Sequence, residues 1–375
     1  MVKKAKTKKQ KSYNDFETDR KSFLGKLSSV SPALSDNDMI AILTHFWFTG
    51  ESVLAYNDQI SISTPIETAF KGAIPGSTLL NLLKNSNARS VKFSPSDESM
   101  KIRAASTNLN LAMLDTDDFV FEMPEENLGA IIDVSDIEQF LQGIKYCLKS
   151  VGSDNSVPDQ LGVTLLSDGQ YLNMYSTDDS ALTHAWVKLK KGCRFDDRVI
   201  LSKMFCDQLL KLWPKDRKDA KLEVSDDYAL LSLKNGSKLF GKLIISQHPL
   251  DHARTIEEHI DAKASKRLVT IPSKFKGILD RAIIILGNSY EHMETKIQVY
   301  TDSGNVKRMR FKSESSYGKV ADTLVIEDQH PDVEVKMNPK LLRAGYGLFE
   351  KMLITDKCAM MTKEGVRYLV SAYGE

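Results

Sequence analysis

Gly72-Ala-Ile-Pro-Gly-Ser-Thr-Leu-Leu-Asn-Leu-Leu83 decides the fold, because the same pattern returns twice further along the chain. A short β-rich run meets a helix start and passes into a Leu-rich helix. The second copy is Arg198-Val-Ile-Leu-Ser-Lys-Met-Phe-Cys-Asp-Gln-Leu-Leu-Lys-Leu212, and the third is Val333-Glu-Val-Lys-Met-Asn-Pro-Lys-Leu-Leu-Arg343. Ser77, Ser202 and Asn338 stand where a cap belongs, and Pro339 suits a first helical position. Each copy runs on into an alternating strand: Ser90–Phe93, Lys221–Val224 and Met352–Thr355. A longer helical segment precedes each copy, at Phe16–Val30, Asp136–Lys149 and Ser273–Leu286. Repeats on a period well above about 50 residues imply tandem domains, not a solenoid of small units.

The expected fold class is therefore α+β. Three domains each carry two helices on antiparallel sheet, at 14–127, 128–258 and 259–375, behind a basic tail at 1–13. Hairpin signals supply the sheet: Val163–Leu166 and Tyr171–Ser176 flank Asp168-Gly169, and Lys296–Tyr300 precedes Asp302-Ser-Gly304. Domains joined head to tail curve into an arc, and arcs with matching ends close into rings.

With 42% hydrophobic and 27% charged residues, the composition is that of a soluble globular protein, expected in the cytoplasm. No apolar run is long enough to span a bilayer or to serve as a signal peptide. Cys147, Cys193, Cys206 and Cys358 are widely spaced, as reduced packed thiols are. The formal net charge is +1, and Val2-Lys-Lys-Ala-Lys-Thr-Lys-Lys-Gln-Lys11 alone holds six lysines, so the rest of the chain is net acidic. Such a tail is either a solvated end or an arm for nucleic acid.

Against that acidic body, the helices carry cations. Ile137, Phe140, Leu141, Ile144 and Leu148 make one apolar stripe, with Lys145 and Lys149 outside it. Phe275, Ile278, Leu279, Ala282 and Leu286 make another, with Lys274 and Arg281 apart from it. Lys21, Lys26, Lys84, Lys203, Lys211, Lys215, Lys340 and Arg343 occupy the remaining helices. Lysine on one helix is ordinary solvated surface. The same habit on six helices in equivalent places suits a lining that meets phosphates without reading bases.

Catalytic motifs are missing: there is no Walker loop, no HExxH and no Gly-x-Ser-x-Gly elbow, so neither enzyme activity nor a cofactor is expected. His248, His252 and His259 with Asp251 read as a solvated linker or a weak metal set, since Pro249 disfavours a helix through His248. Asp115-Thr-Asp-Asp118 reads as a turn.

Over nearly the whole chain after the tail, the order of six half-units resembles the bacterial-type DNA polymerase sliding clamp, the β subunit or processivity factor of DNA polymerase III. The stretches that carry the resemblance are Ala73–Leu80, Ser167–Asp178, Val199–Leu212 and Lys351–Val370. It implies a head-to-tail homodimer that encircles duplex DNA without sequence preference, and partners that include a DNA polymerase, a clamp loader and other clamp-binding proteins. It further implies a pocket for a Gln/Leu/Phe-containing peptide, walled by Thr177, Leu182, Pro249, Cys358, Met360, Leu369 and Val370. The dimer contact would set Leu109 and Leu111 against Ile285 and Leu286. Where the family has Gly-His-Arg this chain has Asp179-Ser180-Ala181, and its ending is Ser371-Ala-Tyr-Gly-Glu375. Both departures make the pocket more acidic, as in a divergent, phage-type member. The alternative use of such a fold is an adaptor for transcription or repair proteins.

Overall fold

A computed structural model describes residues 14–373 except 38, 116–118, 120, 128, 192, 194, 196–197, 214–219, 248–249, 261–262 and 288–292. The lysine tail, Lys215, His248, Pro249, Glu375 and most of the Asp115–Asp118 turn thus lie outside the described residues.

The chain opens with β1 (Phe16–Asp19), α1 (Arg20–Val30), β2 (His45–Phe48), β3 (Ser52–Tyr56), β4 (Ile60–Pro65) and β5 (Gly72–Pro75). Then come α2 (Gly76–Asn85), β6 (Ser90–Pro95), β7 (Ser99–Ala104), β8 (Thr107–Ala112) and β9 (Ala130–Ile131). The middle holds α3 (Ile137–Cys147), β10 (Gly162–Ser167), β11 (Tyr171–Thr177), β12 (Ala181–Lys188), β13 (Arg198–Ser202) and α4 (Lys203–Leu212). Next are β14 (Ala220–Val224), β15 (Tyr228–Leu233), β16 (Lys238–Lys242), α5 (His252–His259), β17 (Val269–Thr270) and α6 (Phe275–Leu286). The chain closes with β18 (Thr295–Thr301), β19 (Lys307–Ser315), β20 (Gly318–Val325), β21 (Val333–Met337), α7 (Pro339–Gly345), β22 (Lys351–Ile354), β23 (Cys358–Lys363) and β24 (Val366–Ser371).

The expected helix pairs are present as α1/α2, α3/α4 and α6/α7, with two local differences. Phe16–Asp19 is a strand, and Asp19 accepts from the Ser22 N–H to start α1. α2 begins at Gly76 behind Pro75 with no side-chain cap, so Ser77 lies inside the helix. Ser202 and Asn338 do cap, accepting from the Phe205 and Lys340 N–H groups.

Two compact units are formed, 1–132 with 207–243 and 133–206 with 244–375. Neither follows the sequence repeats, and the sheets explain why. In the first unit an eight-stranded sheet has the order β5-β2-β3-β4-β16-β15-β14-β9. Its middle seam sets Ile60 against Gly241 and Ser63 against Lys238. The second unit repeats the device as β13-β10-β11-β12-β24-β23-β22-β17, with Ala181 against Val370 and Ala185 against Val366. Each long sheet is thus shared by consecutive repeats. A four-stranded sheet completes each unit, β1-β6-β7-β8 in the first and β20-β19-β18-β21 in the second.

Helices seat on these sheets by their apolar stripes. Phe23, Leu27 and Val30 of α1 are buried beside Phe48, Phe70 and Phe93, with Phe23 and Phe93 ring centroids 5.0 Å apart. In α3 a Cβ at Gly143 would lie 2.3 Å from Met174 Cε and 3.1 Å from Ala185 Cβ, so the helix sits close on β11 and β12 at this glycine. Among the described residues no helix is long and apolar enough to cross a membrane.

An arginine ties each helix pair that lies wholly within one unit. In the first, Arg20 Nε donates to Ala88 O and Nη1 to Leu83 O, both at 2.8 Å, closing the last turn of α2. In the second, Arg343 Nε of α7 donates to Asp280 Oδ1 of α6 at 2.8 Å. Replacing Arg20 with Ala leaves two carbonyls without their donor and should destabilise the chain by about 1–2 kcal/mol. The check is the thermal unfolding midpoint of Arg20→Ala against wild type, and an unchanged midpoint would mean that Arg20 does not hold α1 to α2.

Candidate functional site

The cations expected on the helices differ in what they touch. Lys21, Lys26, Lys84, Lys145, Lys149, Lys203, Lys211 and Lys274 are exposed, with no ion pair among the described residues, and Lys340 is half-buried. The arginines are engaged. Arg281 makes a two-pronged pair with Asp322 at 2.9 and 3.0 Å, and Arg343 holds Asp280, which also takes Lys276 at 2.7 Å. These two donors hold the Asp280 carboxyl below the usual range, Lys276 first and Arg343 second. The guanidinium forks of Arg281 and Arg343 are thus matched to carboxylates, as planar paired donors suit.

The second unit holds most of the apolar residues assigned to a peptide pocket, and strand register brings them together. Thr177 lies opposite Leu182, Leu182 opposite Leu369, Leu369 opposite Met360, and Met360 opposite Leu353. Directly opposed residues share a face, so this row crosses β11, β12, β24, β23 and β22 on one side of the sheet. Cys358 joins that side two residues before Met360. Val370 does not: it pairs with Ala181 and Ala359 in the next row, on the opposite face, and is fully buried there. Adjacent positions in a strand cannot both face the same cleft.

Helix α5 covers the row. Ile256 packs in one buried cluster with Tyr175, Leu182, Cys358 and Leu369, and Ile260 touches both this cluster and the next, of Ala264, Leu353 and Met360. The segment read as a solvated linker is therefore a helix. Pro249 does not prevent it because the helix starts later, at His252, where Asp251 accepts from the Arg254 N–H. Sequence reasoning missed Ile256, Tyr175 and His184. The i, i+4 pair His252 and Ile256 behind a capping Asp was the available signal.

A ladder of rings stands beside this cluster. Tyr175 stacks on His184 at 4.4 Å on one side and on His252 at 5.3 Å on the other. Arg367 Nε donates to His184 Nδ1 at 2.9 Å, so Nε2 carries the proton and donates to Asn173 Oδ1 at 2.9 Å. Burial, then the Arg367 charge, pushes His184 down to about 3, and burial, then Arg198, pushes His252 down to about 4. Among the described residues His252 Nε2 has no hydrogen-bond partner, and a buried polar atom left so costs about 1–3 kcal/mol. Asp159, 1% exposed, pairs with Arg198, and its Oδ2 accepts from the Leu250 N–H at 2.8 Å just ahead of α5. Burial alone would raise the Asp159 carboxyl, but bonds from Ser246, Leu250 and Arg198 outweigh it and hold the carboxyl low.

Among the described residues no group of three or more His, Cys, Asp or Glu could hold a metal ion. Burial pushes the Cys147 thiol up to about 12 and the Cys358 thiol up to about 11, so neither is a ready nucleophile.

Both histidines titrate lower in the folded chain than the ordinary value of 6.5. The unfolded chain then binds more protons as acid is added. The stability they contribute is complete above about pH 6.5 and is lost as pH falls through about 4 and about 3. In denaturant titrations from pH 7 to 4, His252→Gln should flatten the loss of stability with acid. An identical slope in variant and wild type would show that His252 is not buried neutral.

No family model matches the sequence, and no curated protein matches it. Solved structures do match. A DNA polymerase sliding clamp from Bacillus subtilis aligns with TM-score 0.82 at 17% identity, over 97% of this chain and 100% of that one. A sliding clamp (DNA polymerase III subunit beta) from Pseudomonas aeruginosa, bound to griselimycin, aligns with TM-score 0.81 at 13% identity, over 97% and 100%. A DNA polymerase III beta subunit from Thermotoga maritima aligns with TM-score 0.79 at 16% identity, over 96% and 99%. Repeated antiparallel sheets with paired helices, matched from end to end at that level, give this chain the fold of the bacterial DNA polymerase sliding clamps.

Proposed function

We propose that the protein is a DNA sliding clamp, a head-to-tail homodimeric ring that encircles duplex DNA and tethers a polymerase for processive synthesis. The observation that carries this reading is the end-to-end match of its fold to DNA polymerase sliding clamps. In this reading each chain supplies three clamp domains, 14–127, 128–258 and 259–375, and the helices face the DNA. A clamp loader and other clamp-binding proteins would share the apolar cleft with the polymerase. Retention of the purified protein on closed circular DNA, with release on linearisation, tests encirclement. A protein that leaves circles and linear molecules equally fast does not encircle DNA.

The exposed lysines support loose phosphate contact. A flexible ammonium group follows a moving phosphate, whereas a fixed bidentate arginine would hold one position. Lys145→Glu with Lys149→Glu should weaken retention and lower the slope of log affinity against log salt by about one unit per lost contact. Arg281→Gln should alter that slope little, because Asp322 already takes the guanidinium. Unchanged salt dependence in the lysine variant would remove α3 from the DNA-facing surface.

Closure would use the free edges of the two four-stranded sheets, β8 and β20, whose unpaired backbone groups invite strand pairing. Leu109 is half-buried and Leu111 is 9% exposed on β8. On the other side Leu286 is 5% exposed, within the core stripe of α6, and so is poorly placed for an intermolecular contact. Ile284, 73% exposed on the same helix, fits that role better than Leu286. Ile284→Glu should yield monomers in sedimentation runs. A dimer of undiminished stability would place the interface elsewhere.

A further inference from the structure

We propose that α5 is a displaceable lid on the apolar cleft, so that a partner peptide enters by lifting Ile256 out of it. The proposal rests on the clamp reading for what the cleft binds, and adds how access to it is controlled.

The cleft is full in this structure. Leu182, Cys358 and Leu369 are almost wholly shielded, and from outside the sheet the buried Ile256 packs among them with the half-buried Ile260 beside it. A Leu or Phe anchor of a partner peptide would need the same apolar space, so α5 and the peptide compete for it. Helix α5 is suited to yielding. It has only eight residues, of which His252 and Ile256 alone are buried, and a helix that short does not hold itself together in water. Its seat is imperfect as well, because burying His252 leaves Nε2 without a partner among the described residues.

The two ends are held unequally. Ahead of the helix, the buried Asp159 carboxylate takes the Leu250 N–H while paired with Arg198, and Asp251 caps the first turn. At the far end the polar ties to the sheet among the described residues are an exposed Lys357 Nζ on Glu258 O at 2.9 Å and a weak Cys358 Sγ contact to His259 O at 3.7 Å, beside the half-buried Ile260. The firm end acts as a hinge, and the Ile256 end opens. A closed lid lowers apparent affinity by the fraction of time the site is open, so loosening the lid raises affinity. A fixed wall behaves in the opposite way, since trimming it removes contact with the ligand.

The test uses the full chain and a fluorescein-labelled synthetic peptide containing Gln, Leu and Phe, read by anisotropy. Ile256→Ala should bind about tenfold tighter than wild type or better, or bind where wild type does not. Weaker binding by Ile256→Ala, or no binding by either protein, overturns the lid. Hydrogen exchange on the wild type gives a check that needs no variant. Saturating peptide should speed exchange of the α5 amides, and slower exchange would make α5 a wall. Leu182→Glu separates this from the clamp reading: its loss of binding keeps the cleft as the site. Binding by Leu182→Glu equal to wild type removes the cleft itself, and the lid with it.

Discussion

Backbone pairing between strands far apart in sequence is the constraint on which the rest depends. A strand leaves a row of N–H and C=O groups that must find partners when buried. In this chain the groups of β4 are met by β16, and those of β12 by β24. Each seam buries an edge that a single repeat would expose, and each fixes a register to the residue. A slip of one position would turn every side chain to the other face. The row from Thr177 through Leu182, Leu369 and Met360 to Leu353 exists only because β12 and β24 are in this register.

The same constraint explains why the repeats were easy to read and the units were not. Amphipathic stripes such as Phe140, Ile144 and Cys147, or Phe275, Ile278 and Ala282, are local and appear at helical spacing. Their hairpins are local too, and both were legible. Which strand closes a sheet is decided by partners well over a hundred residues away, and no window of sequence carries it. Ser77 illustrates a smaller failure. A serine ahead of a Leu-rich run looks like a cap, but Pro75 and Gly76 let the helix begin early, with Gly76 packed where a Cβ would strike Leu34.

Of the residues proposed as a site, the proximity of the apolar members was legible and the partners of the polar ones were not. Leu182, Leu369, Met360 and Cys358 could be assigned by resemblance, and they meet in the folded chain. Val370 could not be separated from Leu369 without knowing which residue faces which side. Arg281 and Arg343 looked equivalent to the helix lysines because charge was all the sequence displayed. Their carboxylates, Asp322 and Asp280, come from other elements, and the pairing ties α6 to β20 and α7 to α6. Helix α5 escaped notice for a related reason: a proline upstream and only two buried residues leave almost no periodic signal.

That weak signal has a physical meaning beyond its effect on reading the sequence. A segment whose pattern barely specifies a helix is a segment whose helix is barely stable by itself, because pattern and stability both count buried apolar side chains. The sheet beneath α5 is the reverse case. It is continuous, hydrogen-bonded on both sides of each central strand, and carries side chains such as Leu353 and Val370 with no exposure at all. The cleft is therefore built from a rigid floor and a lightly held cover. In the proposed lid, the floor would set which anchor fits, and the small free energy that seats the cover would set how readily it is admitted.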